Sequence, residues 1–351
     1  MHKSLIALAA LAVATPALPQ ASAAIASGKA QPSPLAPSEI VAQAPKADWT
    51  AIPQADLLVM DLTPDAKGRP RRVVIQLMPA PFSQGWIGNI RKLAAARFWD
   101  GTAANRVQDN YVVQWGDPDA EDKAKAKSLP AGLVTVPESQ YSVNYMQLSA
   151  AVSGGVSPTQ ASIELTRIKI EDLEQDLANS GTKPRVSSPS ADKYAKFNAF
   201  ERGWPVASDL DQVWPVHCYG MVGVGRDLSP NTGSGAELYV VIGHAPRHLD
   251  RNIALVGRVI EGIEHLSSLP RGHGALGFYD LAQGDERTGI VSIRLGNEVP
   301  GLPAYEYLST ESASFARYAD ARANRRDAFF IKPAGGADIC NIPVPVRRTA
   351  K

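Results

Sequence analysis

The chain has 351 residues, 44% hydrophobic and 20% charged, with 36 Lys+Arg against 35 Asp+Glu. That balance gives no electrostatic footprint for nucleic acid, and the basic clusters Arg69-Pro70-Arg71-Arg72 and Arg347-Arg348 are short enough to read as solvated faces. The length exceeds a typical single domain, so it calls for two domains or one with large embellishments.

In chain order, His2 and Lys3 precede an apolar run from Leu5 to Leu18, broken by Pro16, and Ala21-Ser22-Ala23 follows as a cleavage pattern. This reads as a secretory signal peptide over residues 1–23. The run falls short of the about 20 apolar residues that span a bilayer, and no later segment is long and apolar enough to do so. The expectation is an exported protein, most simply periplasmic, with no membrane insertion after cleavage. Residues 24–50 are rich in Ala, Pro, Ser and Gln and read as a flexible linker.

Asp56–Leu62 and Val73–Leu77 read as two strands of a hairpin around a turn-rich stretch, Thr63–Pro70. Phe82, Trp86, Ile90 and Leu93 recur at spacings of four, four and three, which predicts a helix over about 82–96 with one apolar face. Residues 106–118 read R-V-Q-D-N-Y-V-V-Q-W-G-D-P. Tyr111–Trp115 is β-prone, with Tyr111, Val113 and Trp115 on one face and Val112 and Gln114 on the other. Pro118 ends the strand, and Arg106 falls in the loop before it. Residues 118–216 are long, mixed and charge-studded, with a possible helix at Glu171–Ala178.

Further strands are expected at Gly220–Val224, Glu237–Ile242, Ile253–Val259 and Gly289–Leu295, with short helices at Ile260–Leu269 and at Thr310–Arg326, the latter with Thr310 as N-cap. A proline-punctuated tail holding Cys340 follows. Many short strands with few helices and no regular βαβ units predict a mainly β, closed barrel with helical caps.

Taken in order, the strand at 73–77, Ala80-Pro81, Asn89 and Leu93, Asp100-Gly101, Arg106…Tyr111…Gln114-x-Gly116-Asp117, Pro230-Asn231-Thr232-Gly233-Ser234, Glu237-Leu238-Tyr239 and Leu249–Val259 resemble a divergent bacterial, exported cyclophilin-type peptidyl-prolyl cis/trans isomerase. The resemblance covers roughly 56–117 and 217–296. It implies a closed eight-stranded antiparallel barrel capped by two helices over residues 51–300, with an insertion at about 118–216 and a C-terminal extension, 301–351, packed on the barrel. It also implies a groove on the barrel's outer face, with Arg106 catalytic and Gln114 beside it. Tyr111, Val112, Arg226 or its neighbour Asp227, Glu237 and Tyr239 would bind substrate. Two pocket positions depart from the family: His248 stands where a tryptophan is common, and Ile253 where a histidine is common. The implied partners are proline-containing unfolded or folding polypeptides, with no cofactor or metal. A chaperone or peptide-binding module without turnover, and a purely structural barrel, are the competing readings.

Other signals are weaker. His244 and His248 are four apart, but Pro246 lies between them and no third ligand is spaced to help. Ser234 lacks the G-x-S-x-G elbow. His217 reads as strand packing, and Gly272–Gly277 with His273 as a surface turn. Cys218 and Cys340 lie outside any C-x-x-C. In an exported chain they are expected to form a structural disulfide, two buried thiols being the alternative.

Overall fold

The computed structural model describes residues 34–144, 147–148, 192–209 and 211–349. The expected signal peptide and the expected helix at 171–178 lie outside these residues.

Fifteen strands are present among the described residues: β1 (Trp49–Ile52), β2 (Leu57–Leu62), β3 (Arg71–Leu77), β4 (Ala103–Val107), β5 (Val112–Gly116), β6 (Val143–Asn144), β7 (Phe197–Glu201), β8 (Trp204–Ser208), β9 (Gln212–Pro215), β10 (Met221–Val224), β11 (Leu238–Val241), β12 (Leu255–Glu261), β13 (Ile290–Leu295), β14 (Tyr305–Leu308) and β15 (Val346–Arg348). The helices α1 (Pro37–Ala42), α2 (Gln84–Ala95), α3 (Glu264–Ser267) and α4 (Ala313–Ala323) accompany them.

Eight strands form one antiparallel sheet in the order β13-β2-β3-β12-β10-β11-β5-β4. Its two edges meet: Ala103 bridges Gly289, and the Ile290 N–H donates to the Thr102 carbonyl at 2.7 Å. The sheet thus closes into the expected barrel, which leaves few strand edges exposed.

The apolar runs of β2 and β3 follow from burial on both faces. Leu58, Met60, Leu62, Val73, Ile75 and Leu77 fill the barrel. The alternate residues Leu57, Val59 and Val74 pack outside it against Leu302 and Tyr305. The turn between the strands is tied by the Asp65 carboxylate, which accepts from the N–H groups of Lys67 and Arg69, an Asx-type closure. Helix α2 presents Trp86, Ile90 and Leu93, all fully buried, to the barrel core.

Several expectations are corrected. Residues 34–50 are not linker in their described part: α1 buries Ile40 against Phe315 and Tyr318 of α4, and β1 pairs with β14. Ile40, Ala44 and Trp49 are buried in one cluster with α4, which docks a stretch whose composition resembled a tether. The helix expected at 260–269 is only α3, because β12 runs on to Glu261. The C-terminal helix starts at Ala313, where the Ser312 hydroxyl, not that of Thr310, caps the Phe315 N–H. Arg106 lies within β4, not in a loop.

The C-terminal strands β14 and β15 join β1 in a second sheet, β1-β14-β15, laid on the outer face of β2 and β3. The described part of the insertion contributes a third, β6-β9-β8-β7. Arg258 of β12 fastens this third sheet to the barrel. It is buried, stacks over Trp204 at 4.5 Å, and donates to the Gly203 carbonyl at 2.6 Å and to Gln76. Gly203 has φ +84°, and a Cβ there would meet the Tyr307 ring at 2.6 Å, so the β7–β8 turn requires glycine. Cys218 and Cys340 are joined in a disulfide that bridges 122 positions of sequence.

Candidate active site

Three strands set side chains in a row across the barrel's outer face. Arg106 on β4 is paired with Gln114 on β5, which is paired with Tyr239 on β11. A register shift between Ala104 and Arg106 lets β4 keep Ala104 and Val107 in the core while Arg106 faces out; re-aiming a side chain is what a bulge does.

The guanidinium of Arg106 is held on three sides. Nε donates to the Leu276 carbonyl at 2.7 Å, Nη1 to Gln114 Oε1 at 3.2 Å, and Nη2 to Gln108 Oε1. It also lies over the rings of Tyr111 and Phe278 at 5.6 and 5.4 Å. Arginine has five N–H donors, so two remain. Partial burial lowers its pKa from the ordinary value, yet an arginine stays charged. Gln114 in turn donates to Glu237 at 2.6 Å, and burial raises the Glu237 carboxyl above the usual range.

Beside the arginine is an apolar cup. Val112, Tyr239 and Val241 are buried together, and Tyr111 and Ile253 pack against them. Val113 and Trp115 point into the barrel as the alternation requires, but Tyr111 joins the cup and not their face. It precedes the strand and follows Asn110 in the left-handed region (φ 51°), so the period of two does not reach it. Arg106, Tyr111, Val112, Gln114, Arg226, Glu237, Tyr239 and Ile253 all line one groove of about 1330 Å³. Arg226 is tied to backbone, donating from Nε and Nη2 to the Asn252 carbonyl. His248 stands at the rim, exposed and stacked on Tyr111 with ring centroids 6.4 Å apart. Cys218 and Cys340 do not line the groove.

Sequence reasoning missed several residues that hold Arg106 or line the groove. Gln108 lies within the motif itself, two positions after Arg106, and that spacing could have drawn attention to it. The stretch at 272–277, expected as a surface turn, supplies the Leu276 carbonyl to Arg106, and Phe278 just after it supplies its ring. The insertion also reaches the groove, through Glu121, Lys127, Leu129 and Leu133. It is strapped there by Asn89, which donates to the carbonyls of Val134 and Ser234 and accepts from the Val134 N–H.

If the cup holds an apolar ring, Tyr111→Ala should weaken peptide binding. The substitution removes one wall of the cup together with the partner of His248 and a face under Arg106. An aromatic contact of this kind contributes about 0.5–1.5 kcal/mol beyond its buried area. A rise in KM of about tenfold, with a smaller change in kcat, is the expected outcome in steady-state kinetics. Unaltered KM would place the ring elsewhere.

Comparison with known proteins bears on the family and the fold. The family model described as cyclophilin type peptidyl-prolyl cis-trans isomerase/CLD matches residues 72–276. Among solved structures, the cyclophilin AquaCyp293 from Hirschia baltica is similar at 17% identity, over 86% of this chain and 95% of that one, with a TM-score of 0.55. A Cryptosporidium parvum cyclophilin type peptidyl-prolyl cis-trans isomerase, crystallised in the presence of the dipeptide Ala-Pro, matches at 10% identity over 68% of this chain and 98% of that one, with a TM-score of 0.34. A comparison with curated proteins returns no match. The matched segment, 72–276, runs from β3 to the loop whose Leu276 carbonyl accepts from Arg106, and the chain belongs to the cyclophilin-type peptidyl-prolyl cis-trans isomerase family.

Proposed function

We propose that the protein accelerates cis/trans rotation about Xaa-Pro bonds in exported polypeptides, with Arg106 as the catalytic residue. A prolyl bond turns slowly because amide resonance stiffens it. In the twisted state the prolyl nitrogen becomes pyramidal and holds a lone pair. A guanidinium fixed beside it donates to that lone pair and disfavours the planar amide, without acid–base or covalent chemistry. The observation that carries this reading is the arrangement of Arg106, fastened by Leu276, Gln108 and Gln114 next to the cup of Tyr111, Val112, Tyr239 and Ile253. The cup would clamp the proline ring while the rest of the chain turns. The signal-like residues 1–23 and the disulfide support export to an oxidising compartment such as the periplasm.

The test is an exchange assay on a series of Xaa-Pro peptides with the purified protein. Acceleration above the uncatalysed rate is expected. Binding of the peptides without acceleration would instead assign a peptide-binding or chaperone module, and neither binding nor acceleration would dismiss the reading.

A further inference from the structure

Beneath the groove a chain of buried polar groups ends on Tyr239. The Tyr239 hydroxyl lies 2.8 Å from His217 Nε2, and His217 Nδ1 lies 2.8 Å from Asp250 Oδ1. Arg247 Nε donates to Asp250 Oδ2 at 2.7 Å, and its Nη2 donates to Asp192 Oδ2 at 2.8 Å. The side chains of His217, Asp250, Arg247 and Asp192 are between 1% and 5% exposed. Asp192 belongs to the insertion, near the point where its described part resumes.

The donor and acceptor roles follow from the chemistry. Asp250, paired with Arg247, accepts at both oxygens, so Nδ1 of His217 carries the proton. Burial lowers the His217 pKa, leaving Nε2 with a lone pair. Tyr239 must then donate its hydroxyl proton to Nε2, away from the groove. Opposite Tyr239 in the β10–β11 pair stands Gly223, where a Cβ would fall 2.3 Å from the hydroxyl. The space for the hydroxyl thus exists only because that residue is glycine. A ring with an unsatisfied buried hydroxyl would tilt toward the open groove, where the hydroxyl could reach solvent.

We propose that His217 is a positioning residue for Tyr239. With Asp250 and Arg247 it absorbs the hydroxyl so that the tyrosine ring lies as an apolar floor of the proline pocket, and Asp192 makes the insertion part of that support. This rests on the reading of the groove as a prolyl site.

The experiment has two arms on the full chain. Nitrogen-15 NMR of the wild type should find the His217 proton on Nδ1. Kinetics on an Xaa-Pro peptide then compare H217A in the wild-type and Y239F backgrounds. H217A should raise KM about fivefold with kcat within about twofold, and should change KM less than about twofold in the Y239F background, a coupling of the size that touching residues show. H217Q, which can donate to Asp250 and accept from Tyr239, should recover KM, and D192N should raise it about twofold. A proton on Nε2, equal effects of H217A in both backgrounds, or failure of H217Q to recover KM would overturn the proposal. Should H217A not fold, the wild-type tautomer and H217Q still decide it. A wild type that neither binds nor turns over the peptide overturns the prolyl reading and this proposal together; the other failures overturn this proposal alone.

Discussion

Arg106→Ala should lower kcat/KM on Xaa-Pro peptides by about 10²–10³, the loss that follows removal of one preorganised donor from a developing charge. The effect should fall on kcat, because the cup that binds the ring stays in place. Arg106→Lys should recover little. The present geometry uses three separate N–H directions to Leu276, Gln108 and Gln114 while two others remain, and an ammonium cannot reproduce that planar fork. Unfolding should change only modestly, since Arg106 is half-buried and borders the groove. Stopped-flow or NMR exchange kinetics, with a thermal melt beside them, check both statements. An alanine variant as fast as the wild type would remove Arg106 from the mechanism.

The second large effect is on stability. Replacing Cys218 and Cys340 together with alanine should lower the unfolding free energy by up to about 4–5 kcal/mol, the chain-entropy value for closing a loop of this length. The bond spans 122 positions, and β10 to β14 together with α3 and α4 lie between its two cysteines. The tail has other anchors: Ile339 enters the barrel core and Ile342 the cluster around α4. The loss should therefore come at the lower side of that figure, and the variant should still fold. Denaturant unfolding should show a lower midpoint, and isomerisation kinetics below that midpoint should be unchanged, because neither sulfur lines the groove. An unchanged midpoint would mean that the apolar anchors alone hold the tail.

Much of the barrel was legible because seven of its eight strands carry their own signal; β4, with Arg106 in it, does not, and is a strand only through its pairing with β5. The β2–β3 hairpin announces itself by two apolar runs around a turn held by Asp65, and α2 by Trp86, Ile90 and Leu93 at helical spacing, Phe82 falling in the turn before it. Motif order brought Arg106, Gln114, Glu237 and Tyr239 into consideration, and the three paired strands place these residues side by side. The corrections arise where local pattern was ambiguous. β12 and α3 share one apolar run, and only pairing with β3 decides where the strand stops. The short strands β1, β14 and β15 are too brief to stand out, and become a sheet only by pairing with one another against the barrel.

What the sequence by itself determined is the type of fold and the chemical character of the groove: β periodicity, one amphipathic helix, and an arginine spaced from an aromatic and a glutamine. Tertiary structure alone decided which groups surround that arginine. The Leu276 carbonyl comes from 170 residues away, and a backbone acceptor carries no mark in a sequence. His217 looked like strand packing because its partners, Asp250 and Tyr239, are 33 and 22 positions distant. Hydrogen bonds of this kind depend on directions and distances of about 3 Å, and only the closing of the barrel and the return of the insertion set those.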